Sequence, residues 1–192
     1  MNSPKYYFPL DATVTINGKP GKVIYRYYSE GVASSVSLAS SSFMSLPKAG
    51  WYHNRNGWWY VKEDGTCAVS EWLCISGKWY WFNEKGYMHV GWLARGGKWY
   101  YLNPSGYMQT GWKLIDRKWY FFSPNGVMQT GWRQIQGKWY FFNSNGAMQT
   151  EWRLINGKWY YFGTDGAMVS NTTLKIGGKT YRFDANGVCL NP

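Results

Sequence analysis

The sequence predicts an all-β chain: a β-solenoid of stacked β-hairpins built from repeats of about 20 residues, preceded by a small N-terminal segment. Three observations carry that reading. Tryptophan recurs at Trp51, Trp72, Trp92, Trp112, Trp132 and Trp152, and a second follows each by seven residues, at Trp58, Trp79, Trp99, Trp119, Trp139 and Trp159, so all but two of the 14 tryptophans lie on one lattice. Gly96-Gly97, Gln136-Gly137 and Asn156-Gly157 mark a turn between the two tryptophans, and a second turn follows at Gly86, Gly106, Gly126, Gly146 and Gly166. Runs such as "WYFF" and "WYYF" between those turns favour strand. Each repeat therefore reads as a hairpin and a connecting loop. A hairpin is marginal alone, so the repeats must stack to bury their aromatic faces.

Taken in order, residues 1–48 form the N-terminal segment and 49–192 the repeat solenoid. Within the segment, "TVTINGKPGKVIYRYYSEGVA" carries hairpin-like NG and PG turns, and its "YRYYSEGV" resembles "YRFDANGV" near the C-terminus. Residues 13–33 are thus a candidate degenerate capping repeat. The following "ASSVSLASSSFMSLPKAG" reads as a Ser-rich linker or an irregular packed segment. At the other end "TTLKIGGKTYRFDANGVCL" has no tryptophan, as a capping repeat would.

Composition sets further bounds. With 21% aromatic and 16% charged residues the chain is not a disordered type, and no apolar run approaches the roughly 20 residues that span a bilayer. The start "MNSPKYYFPLDATVT" lacks the basic and apolar regions of a secretory signal, so a soluble chain is expected, with export by another route if it works outside the cell. The formal net charge of +11 leaves anionic partners open: nucleic acid, a membrane surface or a polyphosphate polymer. Cys67, Cys74 and Cys189 show no paired zinc spacing, and Cys67 and Cys189 stand where other repeats have Met, so they read as free thiols packed in place of Met, with a disulfide as the alternative. His53 and His89 are isolated, and the acids sit at turns, as Asp64, Asp165 and Asp184 do. No nucleophile, base and acid can be grouped, and no cofactor or metal site is expected.

Strand parity locates the chemistry. Across a two-residue hairpin loop, positions whose numbers sum to an odd value share a face, so Trp132 and Trp139 face one way and Tyr140 the other. Stacking then brings Tyr160 of the next repeat toward the Trp132–Trp139 pair. Such a box could be plain core. Yet Leu, Ile and Val would fill a thin solenoid without buried indole and phenol groups needing partners, and three electron-rich rings around a gap suit a quaternary ammonium such as choline.

The stretch "GWRQIQGKWYFFNSNGAMQTEW" resembles the cell-wall-binding repeat of choline-binding proteins, found on Gram-positive bacterial surfaces and in phage lysins; the resemblance runs over about residues 50–190 through its GW, KWYY or KWYF, NxxG and Met motifs. It implies choline of wall or lipoteichoic acid, or its phosphocholine, held between consecutive hairpins by two tryptophans of one repeat and an aromatic of the next, with a Met nearby. The implied clusters are Trp51, Trp58 and Tyr80; Trp72, Trp79 and Tyr100; Trp92, Trp99 and Tyr120; Trp112, Trp119 and Tyr140; Trp132, Trp139 and Tyr160; and Trp152, Trp159 and Tyr181. The matching methionines are Met88, Met108, Met128, Met148 and Met168. The implied role is a non-catalytic cell-wall-targeting module at the wall or surface, outside the cell. Neither nucleic acid nor membrane insertion is expected, and a homodimer is compatible with the pattern. Departures from the family are the basic charge and the two cysteines at Met positions.

Other readings keep the solenoid and change the ligand. A glucan or other carbohydrate could stack on the same rings, although sugar sites add polar groups for hydroxyls. Single-stranded nucleic acid would use aromatic platforms with basic charge, but the tryptophans are expected between repeats, and Lys78, Lys98, Lys118, Lys138 and Lys158 read as a solvated strand edge. A structural or protein-interaction scaffold is the remaining option.

Overall fold

The computed structural model describes two strands near the N-terminus, β1 (Thr13–Ile16) and β2 (Lys19–Lys22), and residues 48–192. The remaining strands are β3 (Gly50–Asn54), β4 (Gly57–Val61), β5 (Glu71–Ile75), β6 (Lys78–Phe82), β7 (Gly91–Arg95), β8 (Lys98–Leu102), β9 (Gly111–Ile115) and β10 (Lys118–Phe122). They continue as β11 (Gly131–Ile135), β12 (Lys138–Phe142), β13 (Glu151–Ile155), β14 (Lys158–Phe162), β15 (Thr172–Ile176) and β16 (Lys179–Phe183). Consecutive strands pair as antiparallel two-stranded hairpins, and the described residues contain no helix. The expected all-β stack of hairpins is therefore the fold. β1 pairs with β2, Thr13 opposite Lys22, while the rest of the candidate capping repeat and the Ser-rich stretch up to residue 47 lie outside the described residues.

The chain divides into two compact units, one comprising Met1–Leu93 and Leu102–Met108, the other Ala94–Tyr101 and Gln109–Pro192. In the second unit each hairpin turns through two residues of positive φ, as at Gln136 (49°) and Gly137 (79°), the turn whose twist matches that of its flanking strands. Asp116 (48°) and Arg117 (62°) make the same turn with no glycine. Each second strand ends in a tight loop. Asn143 accepts at Oδ1 from the N–H of Asn145 and of Ala147, both at 3.0 Å, and Phe142 then bridges to Met148.

One hydrogen bond repeats between hairpins. Met128, Met148, Met168 and Cys189 each donate their N–H to a carbonyl one repeat back, that of Trp99, Trp119, Trp139 and Trp159, at 2.8 Å in every case. Beneath it lies the core: Phe122, Phe142 and Phe162 have no exposed surface, and burying each contributes about 2 kcal/mol. The methionine sulfurs complete the stack. Met148 lies against Gly166 so closely that a Cβ there would overlap its sulfur, and Met128 and Met168 meet Gly146 and Gly187 in the same way.

The first unit uses the same contact. Met88 and Met108 donate to the carbonyls of Trp58 and Trp79 at 2.7 Å, Met88 lies against Gly106, and Val61 and Phe82 are fully buried. Trp59, Val61, Cys67 and Tyr87 form a compact core with Tyr52 stacked on Trp59. Cys67 bridges Val61 as Met88 bridges Phe82, and Cys189 bridges Phe183, so both thiols occupy Met positions as expected. All three cysteines are free; Cys67 and Cys189 are buried and Cys74 is exposed. Burial pushes the Cys67 thiol up to about 12, against a smaller pull from Lys62.

Three outcomes follow from this packing. Gly166→Ala meets both a left-handed backbone (φ +78°) and the Met148 sulfur, and should cost about 2–3 kcal/mol in denaturant unfolding, with Met148→Ala in the same chain recovering the overlap share. Arg117→Gly, which relieves a positive φ at an exposed turn, should raise stability by about 0.5–1 kcal/mol in the same assay. In thiol titration at pH 8, one equivalent, Cys74, should react at once and two should wait for denaturant; three fast thiols would contradict the packing of Cys67 and Cys189.

Candidate functional site

Hairpin register decides which aromatic groups share a face. In β11–β12, Trp132 lies opposite Phe141 and Gln134 opposite Trp139, while Arg133 opposite Tyr140 occupies the reverse face. Trp132 and Trp139 are thus diagonal neighbours on one face, as parity predicts. Their ring centroids stand 6.3 Å apart with planes at 82°, and the next repeat places Tyr160 at 4.9 Å from Trp132 and 68° to it. Two perpendicular indoles and a phenol enclose three sides of a box.

The same box recurs in the second unit. Trp112 and Trp119 are 6.3 Å apart at 84°, with Tyr140 at 4.9 Å from Trp112. Trp152 and Trp159 are 6.2 Å apart at 84°, with Tyr181 at 4.7 Å from Trp152, so the terminal repeat does supply the third ring. In the first unit Trp51 and Trp58 are 6.4 Å apart at 81°, with Tyr80 at 4.9 Å from Trp51. The residues of the other two clusters are divided between the units: Trp72, Trp79 and Trp92 belong to the first, Tyr100, Trp99 and Tyr120 to the second. A methionine N–H bonds the carbonyl of the second tryptophan of every cluster but the last, where Cys189 bonds Trp159, whereas the methionine sulfurs that meet a glycine do so in the following repeat.

The two tryptophans of a box have different work. Trp132 is half-buried and touches Phe141 (5.2 Å) and the fully buried Phe162 (5.6 Å), so it is also a core residue. Trp139 keeps 41% of its surface exposed, and Trp58, Trp119 and Trp159 keep 46%, 44% and 39%. Sequence reading named the tryptophans and tyrosines but not Phe82, Phe142, Phe162 and Phe183 behind the first ring; their own 20-residue spacing was the available signal. His53, opposite Trp58 with rings 4.6 Å apart, is exposed, and His89 contacts the carbonyl of Trp92 at 3.0 Å.

Charge around the boxes is simple. Burial raises the pKa of Tyr80, with a smaller push from Tyr107, and burial then Asp116 raises that of Tyr120, so both phenols stay neutral. Asp165 is held below the ordinary carboxylate range, first by the N–H of Ala167 and then by Lys138, and Asp64 by Thr66, so these acids serve turns. Among the described residues no group of three or more His, Cys, Asp or Glu could hold a metal, and no helix is long and apolar enough to cross a membrane, which says nothing of a β-barrel.

Comparison with known proteins bears on this geometry. A family model described as the choline-binding repeat matches residues 69–110, 109–148 and 129–173, and one described as a putative cell wall binding repeat matches 174–189. No curated protein matched. Among solved structures, choline binding protein F of Streptococcus pneumoniae, in the presence of a peptidoglycan analogue, is 40% identical with a TM-score of 0.69, covering 74% of this chain and 47% of that one. CbpJ of the same organism is 38% identical with a TM-score of 0.69, covering 74% and 48%. CbpF in complex with ipratropium is 37% identical with a TM-score of 0.68, covering 81% and 54%. This chain thus spans about half the length of the proteins it matches. Family models that run without a gap from residue 69 to residue 189, over hairpins whose aromatic boxes recur at one geometry, make this chain a member of the choline-binding repeat family.

Proposed function

We propose that the chain is a non-catalytic cell-wall-targeting module that binds the choline of wall or lipoteichoic acid in the aromatic boxes between its repeats. Residues 49–192 carry the boxes, and residues 1–48 are the N-terminal segment that precedes them in sequence. The module acts outside the cell, at the wall or bacterial surface. One observation carries the reading: the second tryptophan of each box is left 39–46% exposed while it faces a second indole and a phenol. A ring kept for packing would be buried like Phe142. A quaternary ammonium donates no strong hydrogen bond, and a box of ring faces holds it by cation–π attraction of about 0.5–2 kcal/mol per ring. One box supplies a few kcal/mol, hence millimolar affinity for one choline, and several boxes on one polymer gain about 10² to 10⁴ through effective concentration. The name of choline binding protein F supports the same ligand class.

Calorimetry on the folded chain tests this. Wild type should take up three to six choline molecules; Trp139→Ala and Tyr160→Ala should each remove about one, from the same junction, and Tyr140→Ala one from the junction of Trp112 and Trp119. Trp139→Phe keeps a ring with a weaker face and should weaken that site without unfolding its neighbours. Choline stoichiometry unchanged in folded Trp139→Ala would make the box core packing, and retention on dextran resin without elution by choline would favour a carbohydrate ligand.

A further inference from the structure

Where the β3–β4 hairpin meets β5, the first unit holds a cleft outside the boxes. Its volume is about 410 Å³, within the range of small-molecule sites, and it opens to solvent between the loop after β4 and strand β5. Tyr60 forms its aromatic wall, Leu73 and Ile75 its apolar side, and Lys62, Glu63 and Asp64 its polar rim. Tyr60 also touches Trp51 of the first box, with ring centroids 5.2 Å apart, so cleft and box are neighbours that share no residue.

Two departures from the repeat shape this space. Leu73 stands opposite Tyr80, where later hairpins set Lys113, Arg133 and Arg153 opposite Tyr120, Tyr140 and Tyr160. Those two arginines fold back onto Gln129 and Gln149 and onto the carbonyls of Trp132 and Trp152, whereas the shorter leucine leaves the junction open. The loop changes as well. Asn83 and Asn143 accept loop N–H groups from the position that Lys62 holds here, and Asp64 takes that task over, accepting at Oδ1 from the N–H and the hydroxyl of Thr66 at 2.9 and 2.6 Å. Lys62 is thereby free to reach Glu71 at 3.0 Å, which ties the loop to the first residue of β5 and holds the rim in place. Leu174 repeats the leucine, but the loop before it has Gly163 and Thr164 in place of Lys62 and Glu63.

The rim is negative in a basic chain. Glu71 offsets Lys62, Glu63 makes no hydrogen bond or ion pair among the described residues, and Asp64 keeps its second oxygen uncommitted. An aromatic wall takes the C–H face of a sugar ring, the carboxylates accept from its donors, and their charge favours an ammonium among those donors over a neutral hydroxyl. We propose that the cleft is a binding site for an amino sugar, its pyranose ring lying on Tyr60 and its ammonium turned to Glu63 and Asp64. This site stands apart from the boxes and does not depend on the choline reading.

Glucosamine is the probe, and backbone amide shifts in the NMR spectrum of the full chain are the readout. Amides of residues 62–64 and 73–75 should shift with glucosamine at up to about 100 mM. N-acetylglucosamine, which lacks the positive charge, should bind about three- to fivefold more weakly, and Glu63→Gln should remove most of that difference. Leu73→Arg gives this junction the residue that β11 and β13 carry, so it should fold by circular dichroism and lose the glucosamine response. Silent amides at residues 62–64 and 73–75, or glucosamine binding unchanged in folded Leu73→Arg, overturns the site. Displacement of glucosamine by choline also overturns it, because the ammonium would then be seated in a box. Choline stoichiometry is a separate measurement, so the cleft and the boxes can each fail alone.

Discussion

A two-stranded hairpin has two faces and two edges and can bury none of them by itself, so in this molecule everything depends on the contact between consecutive repeats. That contact has a fixed construction. A backbone N–H from Met148 reaches the carbonyl of Trp119, a buried phenylalanine lies beneath, and the methionine sulfur sits against the next glycine. The two-residue turn sets hairpin register, and a slip of one residue would turn Trp132 and Trp139 to the reverse face. The glycine sets closeness. Gly146, Gly166 and Gly187 supply both the positive φ of a tight loop and the space that lets the sulfur approach.

The box geometry is a by-product of the same contact. Trp132 must reach Phe162 to close the core, and in doing so it stands upright beside Tyr160. Trp139, on the diagonal, has no such partner to reach and remains open to solvent. A ligand that slips between them meets three walls already held by folding, so little conformational freedom is left to lose on binding. Affinity per box is limited by the number of ring faces, and the repeat is the means of raising it.

Much of this was legible in the sequence for a physical reason: a 20-residue period imposes one environment many times, so Trp132, Trp139 and Tyr160 could be assigned to a shared junction from parity and stacking alone. What escaped was whatever depends on distance between backbones. Nothing in "NSNGAM" tells that its glycine receives the preceding methionine's sulfur as well as making a turn, because both roles select the same residue. The buried phenylalanines were hidden in the "WYFF" runs, where Phe141 and Phe142 look alike but face opposite ways. Asp116-Arg117 escaped for the opposite reason: its residues disfavour the turn they make, and the pairing of the flanking strands overrides that local preference.

The last described hairpin shows what each hairpin contributes. In the last hairpin the register puts Thr173 and Thr180 where Trp152 and Trp159 stand one repeat earlier, while Tyr181 and the buried Phe183 are retained. That hairpin can therefore complete the box behind it and cannot open one ahead. Cys189 keeps the backbone bond to Trp159. The boxes are therefore a property of junctions, not of repeats, and a hairpin carries half of two sites instead of one whole site.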